Sequence, residues 1–99
     1  MQLRTYVMVD RMQPQYAAFT GKRTMGMIPV VGDAQIYIEV SPAAEVYRVM
    51  DIALKTTDVQ PGYLSMGREY GFLEIHSSHQ EAVQYTGEKA LETMNLKEV

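Results

Sequence analysis

From Gln35 to Val40 the chain alternates, with Ile36, Ile38 and Val40 on one side and Tyr37 and Glu39 on the other, the period of a half-buried strand. The period then lengthens. Ala43, Val46, Val49, Met50, Ala53 and Leu54 recur at helical spacing as one apolar stripe, and Glu45, Arg48, Asp51 and Lys55 fall opposite, Asp51 and Lys55 in acid-first i,i+4 order. Ser41 offers this helix a cap, Pro42 suits its first position and Glu45 its positive end. Val59–Met66 predicts the next strand, with Pro61 and Gly62 marking an edge or a bulge near its start. Gly71–His76 predicts another, with Leu73 and Ile75 facing away from Phe72, Glu74 and His76; Ser65–Tyr70 is the hairpin loop between the two. Ser78-His79-Gln80-Glu81 has capping-box form and opens a second helix with an inner face of Ala82, Val83, Thr86, Ala90, Leu91 and Met94, stopping at Asn95. Gly87 lies on that face, where close approach to the sheet offsets its helix penalty of about 1 kcal/mol.

Strand, helix, strand, strand, helix is a split βαβ sandwich short of one strand. Leu3–Val9 is the strand-like segment available to fill the gap, and nothing comparable follows the second helix. The expected fold is therefore α+β and ferredoxin-like, an antiparallel-rich sheet with helices on one face. Residues 1–99 make one domain: a leading strand at about 3–9, a connector at about 10–34 and a core at about 35–96. Within the connector, Gln13–Phe19 reads as a short helix closed by Gly21, and Met27–Val31 as a short edge strand.

Composition narrows the function. A net charge of −3 argues against nonspecific binding to nucleic acid or anionic membranes. The absence of cysteine removes disulfides, thiolate metal sites and thiol nucleophiles. No apolar run approaches the ~18 residues of a membrane span, and no signal peptide is read, so a cytoplasmic location is expected. Seven Tyr and eight Met in 99 residues suggest apolar area buried between subunits.

The candidate chemistry is sparse. His76 and His79, with Glu74 or Glu81, could be proposed as a metal or enzyme site; the plainer reading is two solvated histidines beside a helix cap. Ser41 and Ser78 are explained as caps, and Met66 as packing rather than as a ligand. No catalytic residue, metal ligand set or cofactor is assigned.

The run Asp51-Ile-Ala-Leu-Lys55-Thr-Thr-Asp58-Val59, then Gly62-Tyr63, a glycine-containing loop and the strand Gly71–His76, resembles the bacterial microcompartment shell domain. The likeness covers Gln35 to about Leu96. It is nearest the circularly permuted type of the ethanolamine- and propanediol-utilisation compartments, in which the strand that usually ends the domain stands first. The leading strand and the strandless C-terminus agree with that permutation independently.

The resemblance implies a non-enzymatic structural protein of the microcompartment shell. It would form a cyclic homohexamer that tiles the shell and passes small polar metabolites through a central pore, with other shell proteins and encapsulated enzymes as partners. It places Lys55 at the hexamer edge, beside its two-fold mate; read from the sequence alone, Lys55 is an exposed lysine favouring the negative end of its helix. Arg11 matches a second edge residue by position, although the family's neighbouring proline is absent. The pore-lining segment implied is Ser65, Met66, Gly67, Arg68 and Glu69, which departs from the family's common Lys-Ile-Gly-Ser-Gly loop. Six copies of an unpaired charge near an axis repel, so Arg68 and Glu69 should pair across subunits or one should turn away. A lumenal Arg68 would favour anions, a lumenal Glu69 cations. With only Met1 and Gln2 before the leading strand, no pore-plugging barrel is expected; without Cys, no thiolate-held cluster. The alternative is a ferredoxin-like regulatory or small-ligand-binding domain forming a dimer or trimer.

Overall fold

The strands that alternate most cleanly become the centre of the fold. A computed structural model describes residues 2–21 and 24–94. Their elements are β1 (Gln2–Val9), α1 (Pro14–Gly21), β2 (Ala34–Ser41), α2 (Glu45–Thr56), β3 (Gln60–Met66), β4 (Gly71–Ser77) and α3 (Gln80–Thr93). All strand pairs are antiparallel, in the order β1-β2-β4-β3. The leading strand does complete the sheet: Tyr6 lies opposite Ile38 and Met8 opposite Ile36 on β2. β3 forms the other edge and shifts register between Pro61 and Tyr63, as its Pro-Gly pair predicts.

One face of the sheet carries the core. Ile36, Ile38, Val40, Leu73 and Ile75 are all at 0% exposure and pack against Val46, Val49, Met50 and Ala53 of α2 and Val83 and Ala90 of α3. Each of the Val, Leu, Ile and Met side chains contributes roughly 1.5–3 kcal/mol by leaving water. Gly87 allows α3 to come down onto the sheet, since a Cβ there would collide with the Tyr6 hydroxyl and the Ile36 Cδ1. The stripe of α2 is narrower than its spacing suggests, because Leu54 is 41% exposed.

Both predicted caps are displaced. Ser41 is the last residue of β2, paired with Gln2, and the cap position of α2 is Ala44. Glu45, Val46 and Tyr47 N–H groups donate instead to the carbonyls of Pro42, Ala43 and Ala44, so a tight turn satisfies the donors a serine would have met. At α3 the cap position is His79, which makes no side-chain cap bond. Ser78 is exposed with its hydroxyl against the His79 ring, and Ser77 Oγ accepts the His79 N–H at 3.1 Å. The stop expected at Asn95 lies outside the described residues.

Residues 27–31 form no strand. Pro29 cannot donate and the chain turns at Gly32 (φ +91°). Backbone contact with β3 is limited, among the described residues, to Met25, Gly26 and the segment's first residue Met27, whose N–H groups donate to the Gly62 and Pro61 carbonyls. Part of the second face is met by α1: Ala17 and Thr20 are buried, and the Tyr16 hydroxyl donates to Gln35 Oε1 at 2.6 Å.

Candidate functional site

Antiparallel connectivity sorts the candidate residues onto opposite ends of the sheet. β3 turns into β4 at one end, through a hairpin closed by the Gly67 N–H donating to the Tyr70 carbonyl at 2.9 Å. Met66, Gly67, Arg68 and Glu69 are exposed there, and neither Arg68 nor Glu69 has an ion-pair partner among the described residues. Met66, expected to pack, is 53% exposed, because it ends β3 beyond the reach of the core. Ser65 differs from its neighbours. It pairs with Phe72 and is half-buried on the second face.

Lys55 and Arg11 stand at the far end. Lys55 lies in the last turn of α2, whose chain continues into the start of β3, and its Nζ meets Asp51 Oδ2 at 2.9 Å. Arg11 is exposed just beyond β1, beside Met12, whose N–H donates to the Asp33 carbonyl. β4 runs between the two ends with seven residues, so about 20 Å separates them at ~3.3 Å per residue. The geometry thus brings Ser65–Glu69 together and sets Lys55 and Arg11 apart from them.

Arg4 is a residue that sequence reasoning missed. Its guanidinium lies 4.3 Å from the centroid of the Tyr70 ring, and its Nε is 3.2 Å from Glu39 Oε1. Glu39 also accepts from Thr5 Oγ1 at 3.0 Å. The leading strand, laddered to β2, is therefore also tied to the hairpin by a side chain. A basic residue two positions into a strand carries no signal for such a contact until the strand order is known.

The two histidines part company. His76 is buried at 0% exposure rather than solvated, whereas His79 is exposed at the start of α3. No group of three or more His, Cys, Asp or Glu able to hold a metal occurs among the described residues. On the second face His76 belongs to a buried polar row. Tyr16 donates to Gln35 Oε1, Gln35 Nε2 donates to Glu74 Oε2 at 2.7 Å, and His76 Nδ1 sits 3.0 Å from Glu74 Oε1. His76 Nε2, buried without a partner among the described residues, is the far end of the row. Gly62 is required beside it, because a Cβ there would strike Glu74 Oε1 and the His76 ring. Next to the row, Tyr37 has its pKa pushed up to about 12, by burial first, then by its hydrogen bond to Tyr16, the Tyr16 charge and that of Glu74; Thr20 opposes the shift.

The comparisons with known proteins agree along the whole fold. Residues 3–99 match the CsoS1D N-terminal domain. The chain is 41% identical over 97 residues to the carboxysome shell protein CcmP of Synechococcus elongatus, covering 98% of this chain and 46% of that protein. It is 40% identical over 97 residues to the carboxysome shell protein CsoS1D of Hydrogenovibrio crunogenus, covering 98% and 47%. Among solved structures, a fused permuted hexameric shell protein of the RMM microcompartment superimposes with a TM-score of 0.89 at 33% identity, covering 98% of this chain and 48% of that one. A double ringed trimeric shell protein of the same compartment gives 0.88 at 38% identity, covering 97% and 46%. The chain spans about half the length of each of these relatives.

Proposed function

The chain belongs to the CsoS1D N-terminal domain family of microcompartment shell proteins, and from that premise we propose that it is a non-enzymatic shell tile, one unit of a six-unit ring. The observation that carries this reading is the leading strand. The family match begins at residue 3, and β1 completes the sheet in a fold that superimposes on a permuted shell protein. A fused hexameric relative of which this chain covers 48% supports a ring of six such units, supplied as six chains or as three chains of two units each. The regulatory-domain alternative is not favoured by any of these relatives.

In this reading the hairpin Ser65–Glu69 faces the ring axis and Lys55 and Arg11 face neighbouring tiles. Their placement at opposite ends of β4 supports it, since a radial unit needs one end at the centre and the other at the rim. Arg68 and Glu69 have no ion-pair partner among the described residues, so in this reading the axis brings them to their counterparts or to a permeating ion. The partners are further copies of the chain, other shell proteins and the encapsulated enzymes.

Light scattering with electron microscopy tests the assembly: rings of six units are expected, and a monomer or an isolated dimer would overturn the proposal. The pore is tested by Arg68→Glu in reconstituted shells. Transport of small anions should fall relative to cations; unchanged selectivity counts against an axial Arg68.

A further inference from the structure

The second face of the sheet holds a cavity that a tile does not need. It measures about 310 Å³ and is lined by Thr20, Thr24, Tyr37, Tyr63, Ser65, Phe72 and Glu74, at the lower end of the volumes that small-molecule sites occupy. Three rings form its apolar wall, Tyr37 stacked on Phe72 with centroids 5.3 Å apart and Tyr63 edge-on to Phe72 at 5.8 Å. Its charged group is Glu74, only 2% exposed.

Burying a carboxylate costs several kcal/mol unless it is well paired. Glu74 receives one donor from Gln35 and shares one from His76, which leaves acceptor capacity on a group with about four lone-pair positions. No basic side chain lines the cavity among the described residues. Carboxylate and aromatic wall together favour a cation with an apolar body. A bare metal ion is poorly served, since one carboxylate and a few hydroxyls fall short of the ligand set a hard cation takes. We infer that this cavity binds a small organic ammonium compound, its nitrogen toward Glu74 and its carbon chain against Tyr37, Tyr63 and Phe72. The site stands apart from the shell reading, although Ser65 lines both the cavity and the root of the hairpin.

The test is calorimetric titration of the intact protein with butylammonium chloride, 1-butanol and sodium butyrate, read in parallel by tyrosine fluorescence. Saturable binding of butylammonium is expected, at least tenfold weaker binding of 1-butanol, and none of butyrate. A crystal soaked in butylammonium should show the nitrogen beside Glu74. Equal response to all three compounds, or no saturable response to butylammonium, overturns the inference. Glu74→Gln keeps the shape and removes the charge, and should weaken butylammonium at least tenfold while leaving 1-butanol unchanged. Should that variant fold poorly, Thr24→Phe fills the cavity from its rim and should abolish butylammonium binding with the melting temperature retained; wild-type binding by this variant overturns the inference. Because these readouts are of binding, their failure leaves ring assembly untouched, and failure of ring assembly leaves them untouched.

Discussion

Tyr37 and Gly87 show how far single positions are constrained from both sides. The Tyr37 hydroxyl holds its proton to about pH 12 in the folded chain, against an ordinary value of 10.0. The unfolded chain therefore loses that proton first. The stabilisation is fully present below pH 10 and drains away between about pH 10 and 12. Denaturant melts of Tyr37→Phe across that window should lose stability less steeply than the parent; parallel curves would show that the proton is held no more tightly after folding. Gly87→Ala gains helix propensity but places a Cβ against Tyr6 and Ile36. Overpacking should win, with a net loss of about 1–3 kcal/mol in urea unfolding, partly recovered in combination with Tyr6→Phe.

At the scale of elements, the strap from β1 to the hairpin has consequences that the ladder alone lacks. Arg4 is more than half exposed, so its ion pair and ring contact together contribute no more than about 1.5 kcal/mol. Its effect should appear as local opening instead. In Arg4→Ala, amide exchange should quicken both in the first half of β1 and in the hairpin, with the centre of β2 unaffected; a change confined to β1 would refute the coupling. Much of the element pattern is legible in the sequence because alternation and helical stripes act locally, and the orphan strand Leu3–Val9 is recognisable from the gap it must fill. Other features are not. α1 carries no clear apolar stripe, and it docks through the Tyr16 hydroxyl and small buried residues. Without knowing that it covers the second face, nothing marks Gln35, Glu74 and His76 as buried. The serines mislead for a related reason: a cap motif depends on where the strand ends, and register rather than residue type decides that.

For the molecule as a whole, the proposed rim placement of Lys55 means that its exposed pair with Asp51 should matter little to folding and much to association. Lys55→Ala is expected to change stability by less than about 0.5 kcal/mol and to leave ring mass unaltered while lateral sheets thin out in electron micrographs. Loss of the ring itself would move Lys55 from the rim to the inter-unit contact. The resemblance supplied by Asp51–Val59 and Gly62-Tyr63 was sufficient to reach the family, yet it gave no hint of Arg4 or of the cavity, because those arise from neighbours distant in the chain.

The length of β4 has a practical corollary. Positions some 20 Å apart with no shared contacts rarely interact energetically, so substitutions at Arg68 and at Lys55 should combine additively. On the proposed roles of hairpin and rim, a protein engineer could then reprogram what the hairpin attracts without unsettling the lattice, and retune the lattice without altering permeability, treating the two ends as independent modules joined by an inert spacer.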